Sequence, residues 1–310
     1  MRLRARQVAA ALLLDALLGE PPASLHPVVW MGRTISHYER RALAWKNPRH
    51  RSISGAVLAL ALPTLVCAGA GASIWMTPKP LRWPLEVIFL SSALSMRGLA
   101  TAAAAVERKL QNGDLEAART CVGEFVGRDT DALSEEEVAR AAVESVAENT
   151  SDGIVAPMLY GLFLGAPGAL TYKAVNTLDS MIGYREAPYA EFGWASARLD
   201  DFANLFPARL TALLAAVASG RLAATLSSVR RYGPLTSSPN AGWAEAAFAG
   251  ALGIRLGGTN HYGGVMRVGP VIGEGRRPGP EDIRRAVVLM RSICIILAGF
   301  ALLAGAVRRG

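Results

Sequence analysis

The distribution of apolar residues along the chain predicts several membrane-crossing helices. Ile53 to Met76 is a run of 24 residues without a charge, and Ala286 to Val307 is a second run that only Arg291 interrupts. Each run is long enough to cross roughly 30 Å of hydrocarbon. Leu85 to Ala105 is a third candidate, which Arg97 weakens near its middle. A soluble protein with a very apolar helical core is the alternative, but Ile53 to Met76 lacks the polar stripe of a surface helix.

Two further apolar stretches contain residues that interrupt helices. Ile154 to Val175 contains two prolines and a lysine, and Ala208 to Leu226 contains a glycine followed by an arginine. We expect both to be kinked, short or re-entrant, because irregular backbone at membrane depth is tolerated only against protein or a wet cavity. The predicted fold class is therefore all-α: a polytopic integral membrane protein with broken or re-entrant helices and polar helical inserts.

The polar stretch Glu107 to Asp152 predicts helices outside the membrane. One covers Asp114 to Phe125, and a second begins after Ser134 and runs from Glu135 to about Ala147. Ser134 and the glutamate three residues later form a capping box. No internal repeat is visible, so we predict one membrane domain over residues 1–310, with 107–152 as a polar helical insert.

Glu148 lies where this second helix is expected to end, one turn after Glu144. A carboxylate at a helix C-terminus opposes the helix dipole at a cost of about 0.3 to 1 kcal/mol. We therefore expect Glu148 to serve a ligand, a metal or a neighbouring cation, and a solvated carboxylate is the alternative.

The charge pattern favours a lipid partner over a nucleic acid. The formal charge of +8 comes from 33 basic and 25 acidic residues, and the arginines flank apolar runs instead of forming a basic face with aromatic residues. Six basic residues between Arg33 and Arg51 predict a cytoplasmic loop by the positive-inside rule. Three isolated cysteines show no metal or disulfide spacing, which favours a packing role.

Three clusters of carboxylates, amides and cations lie beside the broken runs: Glu148 to Gly153, Lys173 to Arg185, and Arg198 to Asn204. Oxygen-rich clusters suit Mg²⁺, which takes one or two carboxylates together with substrate phosphates and water. Asp200 and Asp201 are the best pair for this role. Helical neighbours point about 100° apart, so we expect only one of them to be a direct ligand.

Cationic side chains in these segments suit phosphate binding. The planar guanidinium groups of Arg185, Arg198 and Arg209 match phosphate geometry. Lys173 ends an apolar run, so it is either a phosphate ligand or a side chain that reaches to the membrane interface. His26 is a catalytic candidate, with a structural role as the alternative.

A fourth polar cluster, Ser238 to Trp243, precedes a helix of small residues over Ala244 to Leu252. We expect Asn240 to cap this helix, whose first N–H groups suit an anion. Gly257 to Gly279 is expected to be a glycine-rich loop, and it contains no Walker-type nucleotide motif.

These segments together resemble the adenosylcobinamide-phosphate synthase family of cobalamin biosynthesis, the CobD/CbiB family. His26-Pro27 and Gly127 to Thr130 are also similar to that family, and the resemblance extends from about Leu14 to Gly264. One departure is Ser151, where the family motif leads us to expect valine. The segments that carry the resemblance are Glu148-Asn-Thr-Ser-Asp-Gly153, Asn176-Thr-Leu-Asp-Ser-Met-Ile-Gly-Tyr184, Ala197-Arg-Leu-Asp-Asp201, Pro207-Ala-Arg-Leu-Thr-Ala212 and Ser238-Pro-Asn-Ala-Gly-Trp243.

The resemblance implies a multi-pass enzyme of the bacterial inner membrane with a cytoplasm-facing active site. It implies that aminopropanol phosphate, or aminopropanol, is joined to a propionate of adenosylcobyric acid. This amide ligation consumes ATP as a co-substrate, with Mg²⁺ as its companion. The expected partners are these substrates and the bilayer, without nucleic acid; a homo-oligomer or a complex with other membrane enzymes of the pathway stays open.

We assign hypothetical roles to the polar residues within this reaction. Glu148 or Asp152 is the base that takes the amine proton, and Asp179 is a third catalytic candidate. Arg185 and Arg198 are expected to hold phosphates, and the asparagines to bind the amides around a corrin ring. The metal ligands are Asp200 and Asp201, and the substrate-binding residues are His26, Asn149, Lys173, Asn176, Arg185, Arg198, Asn204, Arg209 and Asn240.

Two alternatives to an enzyme remain. A membrane transporter of an anionic small molecule would use intramembrane charges such as Arg97 and Lys173, but the chain lacks the matching halves expected of a carrier. A membrane scaffold or sensor leaves the polar clusters unexplained. If every apolar run crossed the membrane, these clusters would fall on opposite faces. We therefore expect that Ile154 to Val175 and Ala208 to Leu226 do not both cross fully.

Overall fold

The computed structural model describes residues 4–184 and 186–307, so Arg185 and its predicted phosphate role lie outside the described residues. Nearly all of the described chain is helical. In chain order its elements are α1 (Ala5–Leu18), α2 (Pro27–Ala42), α3 (Pro48–Met76), α4 (Lys79–Ser91), α5 (Met96–Gln111), α6 (Leu115–Gly123), α7 (Glu135–Thr150), a π-helical turn (Ser151–Val155), α8 (Ala156–Ile182), α9 (Tyr189–Phe192), α10 (Trp194–Ala218), α11 (Leu222–Tyr232), a 3₁₀ turn (Gly233–Leu235), α12 (Ala241–Leu252), β1 (Leu256–Tyr262), β2 (Val265–Ile272) and α13 (Pro280–Val307).

Five helical segments among the described residues are long and apolar enough to cross a membrane, judged by length and composition: Pro48–Met76, Lys79–Gln111, Glu135–Ile182, Trp194–Ala218 and Pro280–Ala306. In α3, large apolar side chains such as Val57, Leu60 and Leu65 are exposed on the protein surface, where lipid can cover them. The chain is thus a multi-pass helical membrane protein, which confirms the predicted fold class.

The third predicted span, Leu85 to Ala105, is interrupted. It is divided between α4 and α5, and residues 92–95 between them are not helical. Ser95 donates from its backbone N–H to the carbonyl of Gly153 at 3.2 Å, which satisfies a backbone group that the interruption leaves outside a helix.

The described residues form two compact units. The first comprises the residues up to Ser95, Asp152–Asn204 and the residues from Phe300 onward; the second comprises Met96–Ser151 and Leu205–Gly299. Each unit is described by itself below. The sequence predicted a single domain with an insert at 107–152. The division into two compact units does not test this prediction.

In the first unit, α8 packs against α2, α3 and α4. It is kinked at Gly165, whose φ of 75° and ψ of −166° are outside the helical region. Glycine adopts this conformation readily because it has no Cβ. The kink confirms that Ile154 to Val175 forms a broken helix.

The capping box at the start of α7 is confirmed. The Ser134 side chain accepts from the Glu137 backbone N–H, and the Glu137 carboxylate accepts from the Ser134 backbone N–H. However, α7 does not end near Ala147. It runs to Thr150 and continues through the π-helical turn into α8, so the expectation that Glu148 sits at a helix end is wrong. The π-helical turn comes just before Pro157. Proline has no backbone N–H, and this is tolerated because Pro157 lies near the start of α8.

In the second unit, α12 packs against α11, α7 and both strands. The apolar stretch Ala208 to Leu226 is broken as predicted, because α10 ends at Ala218 and α11 begins at Leu222.

The stretch Gly257 to Gly279 corrects another expectation. Its part up to Ile272 belongs to an antiparallel hairpin that begins at Leu256, in which Leu256 pairs with Ile272 and Tyr262 pairs with Val265. The hairpin is joined by Gly263 and Gly264, both of which have positive φ. Two consecutive glycines between short strands are a hairpin signal, which the overall glycine content of the segment concealed.

Candidate functional site

A polar network in the first unit gathers residues from α8 and α10; we call it the Asp200 network. Asp200 is buried, and its two carboxylate oxygens accept from different amides. The Asn204 amide donates at 3.0 Å and the Asn176 amide at 3.5 Å. Lys173 donates to the side-chain amide oxygen of Asn176 at 3.3 Å, and the Tyr172 hydroxyl donates to the side-chain amide oxygen of Asn204 at 2.8 Å. The lysine and tyrosine donors thus orient both amides toward Asp200.

Spacing along the two helices explains this network. Lys173 and Asn176 are three residues apart on α8, and Asp200 and Asn204 are four apart on α10. Residues at these separations share one helix face. The rings of Tyr160 and Tyr172 stack with centroids 5.0 Å apart, and the Tyr160 hydroxyl donates to the carbonyl of Ala203 at 3.1 Å.

Acidic side chains surround Lys173 in the first unit. Its ammonium interacts electrostatically with Asp152, Glu20 and Asp200. A hydrogen bond from His26 and attraction to Lys173 lower the pKa of Glu20, against the opposing effect of burial. His26 itself is the N-cap of α2, where its Nδ1 accepts from the Val28 N–H at 3.2 Å. Its Nε2 lies 3.6 Å from the Glu20 carboxylate, so His26 links the start of α2 to the acidic group near Lys173, and its predicted site role stays a prediction.

The adjacent aspartates face different surroundings, as the helical geometry predicted. Asp200 is buried within its network, whereas Asp201 is partly exposed and lies 3.9 Å from the guanidinium of Arg198. Asp179 interacts electrostatically with both. Among the described residues, no group of three or more His, Cys, Asp or Glu side chains could hold a metal ion. A magnesium ion here would need oxygen ligands from substrate phosphate and water, which is its usual preference.

In the second unit, an arginine–glutamate network fixes the hairpin to α7. Glu144 pairs with Arg128 at 2.5 Å and accepts from the backbone N–H of Gly257 at 2.6 Å. Arg128 and Arg140 both donate to the Asn260 side-chain oxygen, at 2.8 and 2.9 Å. Arg128 belongs to the Gly127 to Thr130 stretch, so this family-like segment anchors the hairpin.

A cavity of about 500 Å³ lies beside this network, and Glu148 and Glu245 are both in its lining. The two carboxyl groups, from α7 and α12, lie within hydrogen-bonding reach of each other. Burial, followed by repulsion from Glu148 and Glu144, raises the pKa of Glu245 well above its usual value. Such perturbed carboxyl groups are typical of functional sites.

Three predicted substrate-binding residues of the second unit make local contacts. The Asn149 amide donates to the Ser145 carbonyl at 2.9 Å. Arg209 donates to the Asn240 side-chain oxygen at 3.0 Å and lies over the Trp243 ring, 4.5 Å from its centroid. Asn240 does not cap α12 with its side chain, which corrects that expectation.

Ser238 provides this cap instead. Its hydroxyl oxygen accepts from the backbone N–H groups of Asn240 and Ala241, both at 3.2 Å. A serine hydroxyl is a common helix cap, so this contact satisfies N–H groups that the helix start would otherwise leave unpaired.

Sequence reasoning missed several residues of these sites. Glu245 is the single charged residue of α12, and this isolation is the signal that could have identified it. Tyr172 had no such signal, because an aromatic residue in an apolar run is usually part of the core. Arg140 and Asn260 come together only through the pairing of α7 with β1, which no local pattern predicts.

The structure thus defines a class: a multi-pass helical membrane protein with two polar sites built from carboxylates, amides and cations. Residues 8–290 match the family model described as CobD/Cbib protein, and the chain belongs to this family.

Close relatives are similar over most of their length. The cobalamin biosynthesis protein CobD of Rhodobacter capsulatus is 42% identical over 313 residues, covering 98% of this chain and 97% of the relative. The protein of the same name from Geobacter metallireducens is 48% identical over 286 residues, covering 87% of each. The cobalamin biosynthesis protein CbiB of Salmonella arizonae is 42% identical over 293 residues, covering 90% and 91%. No solved structure matches the chain.

Proposed function

We propose that this protein is a membrane enzyme of cobalamin biosynthesis that forms an amide between a propionate of adenosylcobyric acid and aminopropanol or its phosphate. Family membership and the names of the relatives support the pathway. The observation that carries the enzymatic step is the Asp200 network, in which a buried carboxylate is held by oriented amides beside an ammonium group.

The chemistry explains why such a network is useful. A carboxylate oxygen is a poor leaving group, so ATP first transfers its γ-phosphoryl group to a propionate oxygen and ADP departs. The amine then attacks the acyl carbon, inorganic phosphate departs, and a base takes the amine proton. Positive charge near the phosphates stabilises the phosphoryl-transfer step.

The residues present fit roles in this reaction. Asp200 and Asp201 supply the carboxylates for a Mg²⁺ ion, which would neutralise phosphate charge when bound. Lys173 supplies a cation beside them, and Arg198 lies next to Asp201 on the exposed side. Glu148 and Asp152 are the proposed bases, and Asp179 is the third proposed catalytic carboxylate. We place the enzyme in the bacterial inner membrane with its active site facing the cytoplasm, where ATP is available.

The test measures amide formation in lipid vesicles while Mg²⁺ is titrated. Asp200→Asn and Asp201→Asn should each require more Mg²⁺ or lose activity, because each removes a negative charge from the proposed metal site. Asp131→Asn, at an exposed aspartate of the second unit, is the matched control and should behave like the unmodified protein. Full activity of both test variants at every Mg²⁺ concentration contradicts the metal assignment.

A detergent assay separates the enzyme from the transporter considered above. Purified protein is mixed with adenosylcobyric acid, aminopropanol phosphate, Mg²⁺ and ATP, and the product is identified by mass spectrometry. A ligase forms the amide without a membrane gradient. Unchanged substrates would contradict the proposed function.

A further inference from the structure

One arginine interrupts the last apolar run of the chain. Arg291 lies within α13, five residues after the run begins at Ala286. This separation is about 7.5 Å along the helix axis. The helix is one of the segments that are long and apolar enough to cross a membrane. A charged side chain is costly in hydrocarbon, so arginines within membrane spans usually face the interior of the protein and pair there with a carboxylate or a carbonyl group.

Arg291 departs from this usual arrangement. Its side chain is exposed on the protein surface, as are Val288 and Ile295 on the same face of α13. The nearby Arg285 pairs with Asp282, whereas the Arg291 guanidinium makes no hydrogen bond or ion pair with another described residue. The charge of Arg291 is therefore available to a group outside the described part of the chain.

Helix geometry directs Arg291 toward the polar end of α13. Side chains in a helix point back toward its N-terminus, and the first turn and a half of α13 contains four charged residues. Arg284 is one of them and lies seven residues before Arg291, so the two share one helix face. The Arg284 side chain is 68% exposed, and its described ion pair, with Glu107 at 3.9 Å, is long. Two cations therefore lie on one exposed face where the helix enters its apolar run.

The chemistry of this face matches an anionic phospholipid. A long arginine side chain can reach the membrane surface from below it, and its planar guanidinium donates two parallel hydrogen bonds to a phosphate group. Val288 and Ile295 supply apolar surface for acyl chains. The ammonium group of a zwitterionic lipid would be repelled by the two arginines and would compete with them for the phosphate. A headgroup with a net negative charge is therefore the better match.

We propose that the face formed by Arg284, Val288, Arg291 and Ile295, which we call the α13 lipid site, binds one anionic phospholipid. The two guanidinium groups hold the phosphate, and the apolar side chains lie along the acyl chains. A second copy docked through the same face would bring like charges together, which disfavours a symmetric dimer here. A membrane helix with a carboxylate at this depth is the other way to neutralise Arg291. The short distance from Arg291 to the polar end of α13 favours the lipid headgroup.

The test uses full-length protein in a nonionic detergent and native mass spectrometry of three probes: phosphatidylglycerol, phosphatidylcholine with the same acyl chains, and glycerol phosphate. The first probe has a net negative charge, the second is neutral overall, and the third has the phosphate without acyl chains. We expect phosphatidylglycerol to bind at least about tenfold more tightly than either of the others. Equal binding of the two lipids overturns the proposal without any mutation. Binding of glycerol phosphate as tight as that of phosphatidylglycerol would show a site for free phosphate and would also overturn it.

Variants locate the site on α13. Other basic segments also attract phosphatidylglycerol, so the measured quantity is the number of these lipids retained per protein. Arg291→Gln should retain one fewer, and Arg284→Gln should show a smaller loss, because Glu107 already lies near Arg284. Arg255→Gln, at an exposed arginine outside the five candidate spans, is the matched control and should behave like the unmodified protein. Unchanged binding of phosphatidylcholine shows that each variant is folded. If Arg291→Gln retained the full number of phosphatidylglycerol molecules, the α13 lipid site would be rejected.

The same spectra distinguish a protein partner from a lipid. A second copy or another membrane protein that pairs with Arg291 would appear as a complex in the unmodified protein and would be lost in Arg291→Gln. That result, without a preference for phosphatidylglycerol, would overturn the lipid assignment. Amide formation is not measured here, so the outcome does not depend on the proposed function.

Discussion

Two acidic residues, Asp200 and Glu245, are held in contrasting ways. Asp200 accepts hydrogen bonds from two oriented amides, which hold its carboxyl group in one orientation. Glu245 faces a second carboxyl group, that of Glu148, which destabilises its charged form. The carboxyl group of Asp200 is thus fixed in orientation by its neighbours, whereas Glu245 is arranged to exchange a proton or bind a cation.

The raised pKa of Glu245 predicts how the stability of the ligand-free protein depends on pH. The folded state holds this proton more tightly than the unfolded state, so stability falls as pH rises from the ordinary value near 4.5 toward the folded pKa. Glu245→Gln removes this penalty. We expect the variant to melt at a higher temperature than the unmodified protein at pH 8, with little difference at pH 5.

The measurement is thermal unfolding in one detergent at both pH values. Glu124→Gln, at an exposed glutamate of the same unit, serves as the control and should show the same small change at pH 5 and pH 8. If Glu245→Gln melted below the unmodified protein at pH 8, the carboxyl pair would be stabilising and the reasoning would fail.

Sequence analysis reached some of these residues and not others for a physical reason. Lys173, Asn176 and Asp200 stand out because polar side chains beside apolar runs are costly unless they are satisfied. The sequence was therefore enough to identify these residues as candidates. Which of them contact one another depends on how α8 and α10 pack, and the sequence does not show this. Glu245 lies in a helix of small residues, and its importance depends on Glu148 from another helix.

Among the structural elements, α8 shows how one residue shapes a helix. Gly165 has a φ of 75°, which interrupts the helical conformation. An added Cβ would meet the guanidinium of Arg4, a flexible side chain that can move, so the backbone conformation is the main constraint. The prolines of this stretch indicated a broken helix from the sequence, but they did not identify the glycine as the kink.

Gly165→Ala should therefore destabilise the protein by about 1 to 3 kcal/mol, the usual cost of a strained backbone conformation. Gly69→Ala is the matched control, because Gly69 lies inside α3 and an added Cβ there meets nothing within 4 Å. This control should be neutral or stabilising by up to about 1 kcal/mol, since alanine favours helices. The unfolding midpoints of the two variants are measured in the same detergent. If both midpoints shifted equally in the same direction, the proposed role of Gly165 would be contradicted.

The elements that the sequence predicted least well are those whose conformation depends on contacts with segments distant in the chain. The capping box correctly indicated the start of α7, because a cap is a local interaction among four residues. The end of the helix was missed, because the π-helical turn carries it onward into α8. The hairpin was also missed; it is stabilised largely by Arg128, Arg140 and Glu144, which are distant in sequence.

At the scale of the whole molecule, we predict that the long apolar helix α3 lies against lipid. Cys67 lies within α3 and is exposed on the protein surface. In a membrane this thiol should be surrounded by hydrocarbon, which a charged reagent does not readily enter. We expect Cys67 to resist a charged maleimide in lipid nanodiscs, which leave both membrane faces open, and to react after denaturation.

Labelling is measured by mass spectrometry in a chain where Cys121 and Cys294 are replaced by alanine. A cysteine introduced at the exposed position 124 is the positive control and should react in the native protein. Equal labelling rates at positions 67 and 124 would show that α3 faces water, and would contradict its membrane placement.

The sequence by itself determined the class of protein, the family and most of the polar residues. These properties are local: the length of an apolar run decides whether it can span lipid, and the order of polar motifs indicates the family. Tertiary structure decided which polar side chains meet. The Asp200 network requires α8 beside α10, and the cavity with Glu148 and Glu245 requires α7, α12 and the hairpin to pack together. Contacts between distant segments depend on packing, which no local pattern of residues specifies.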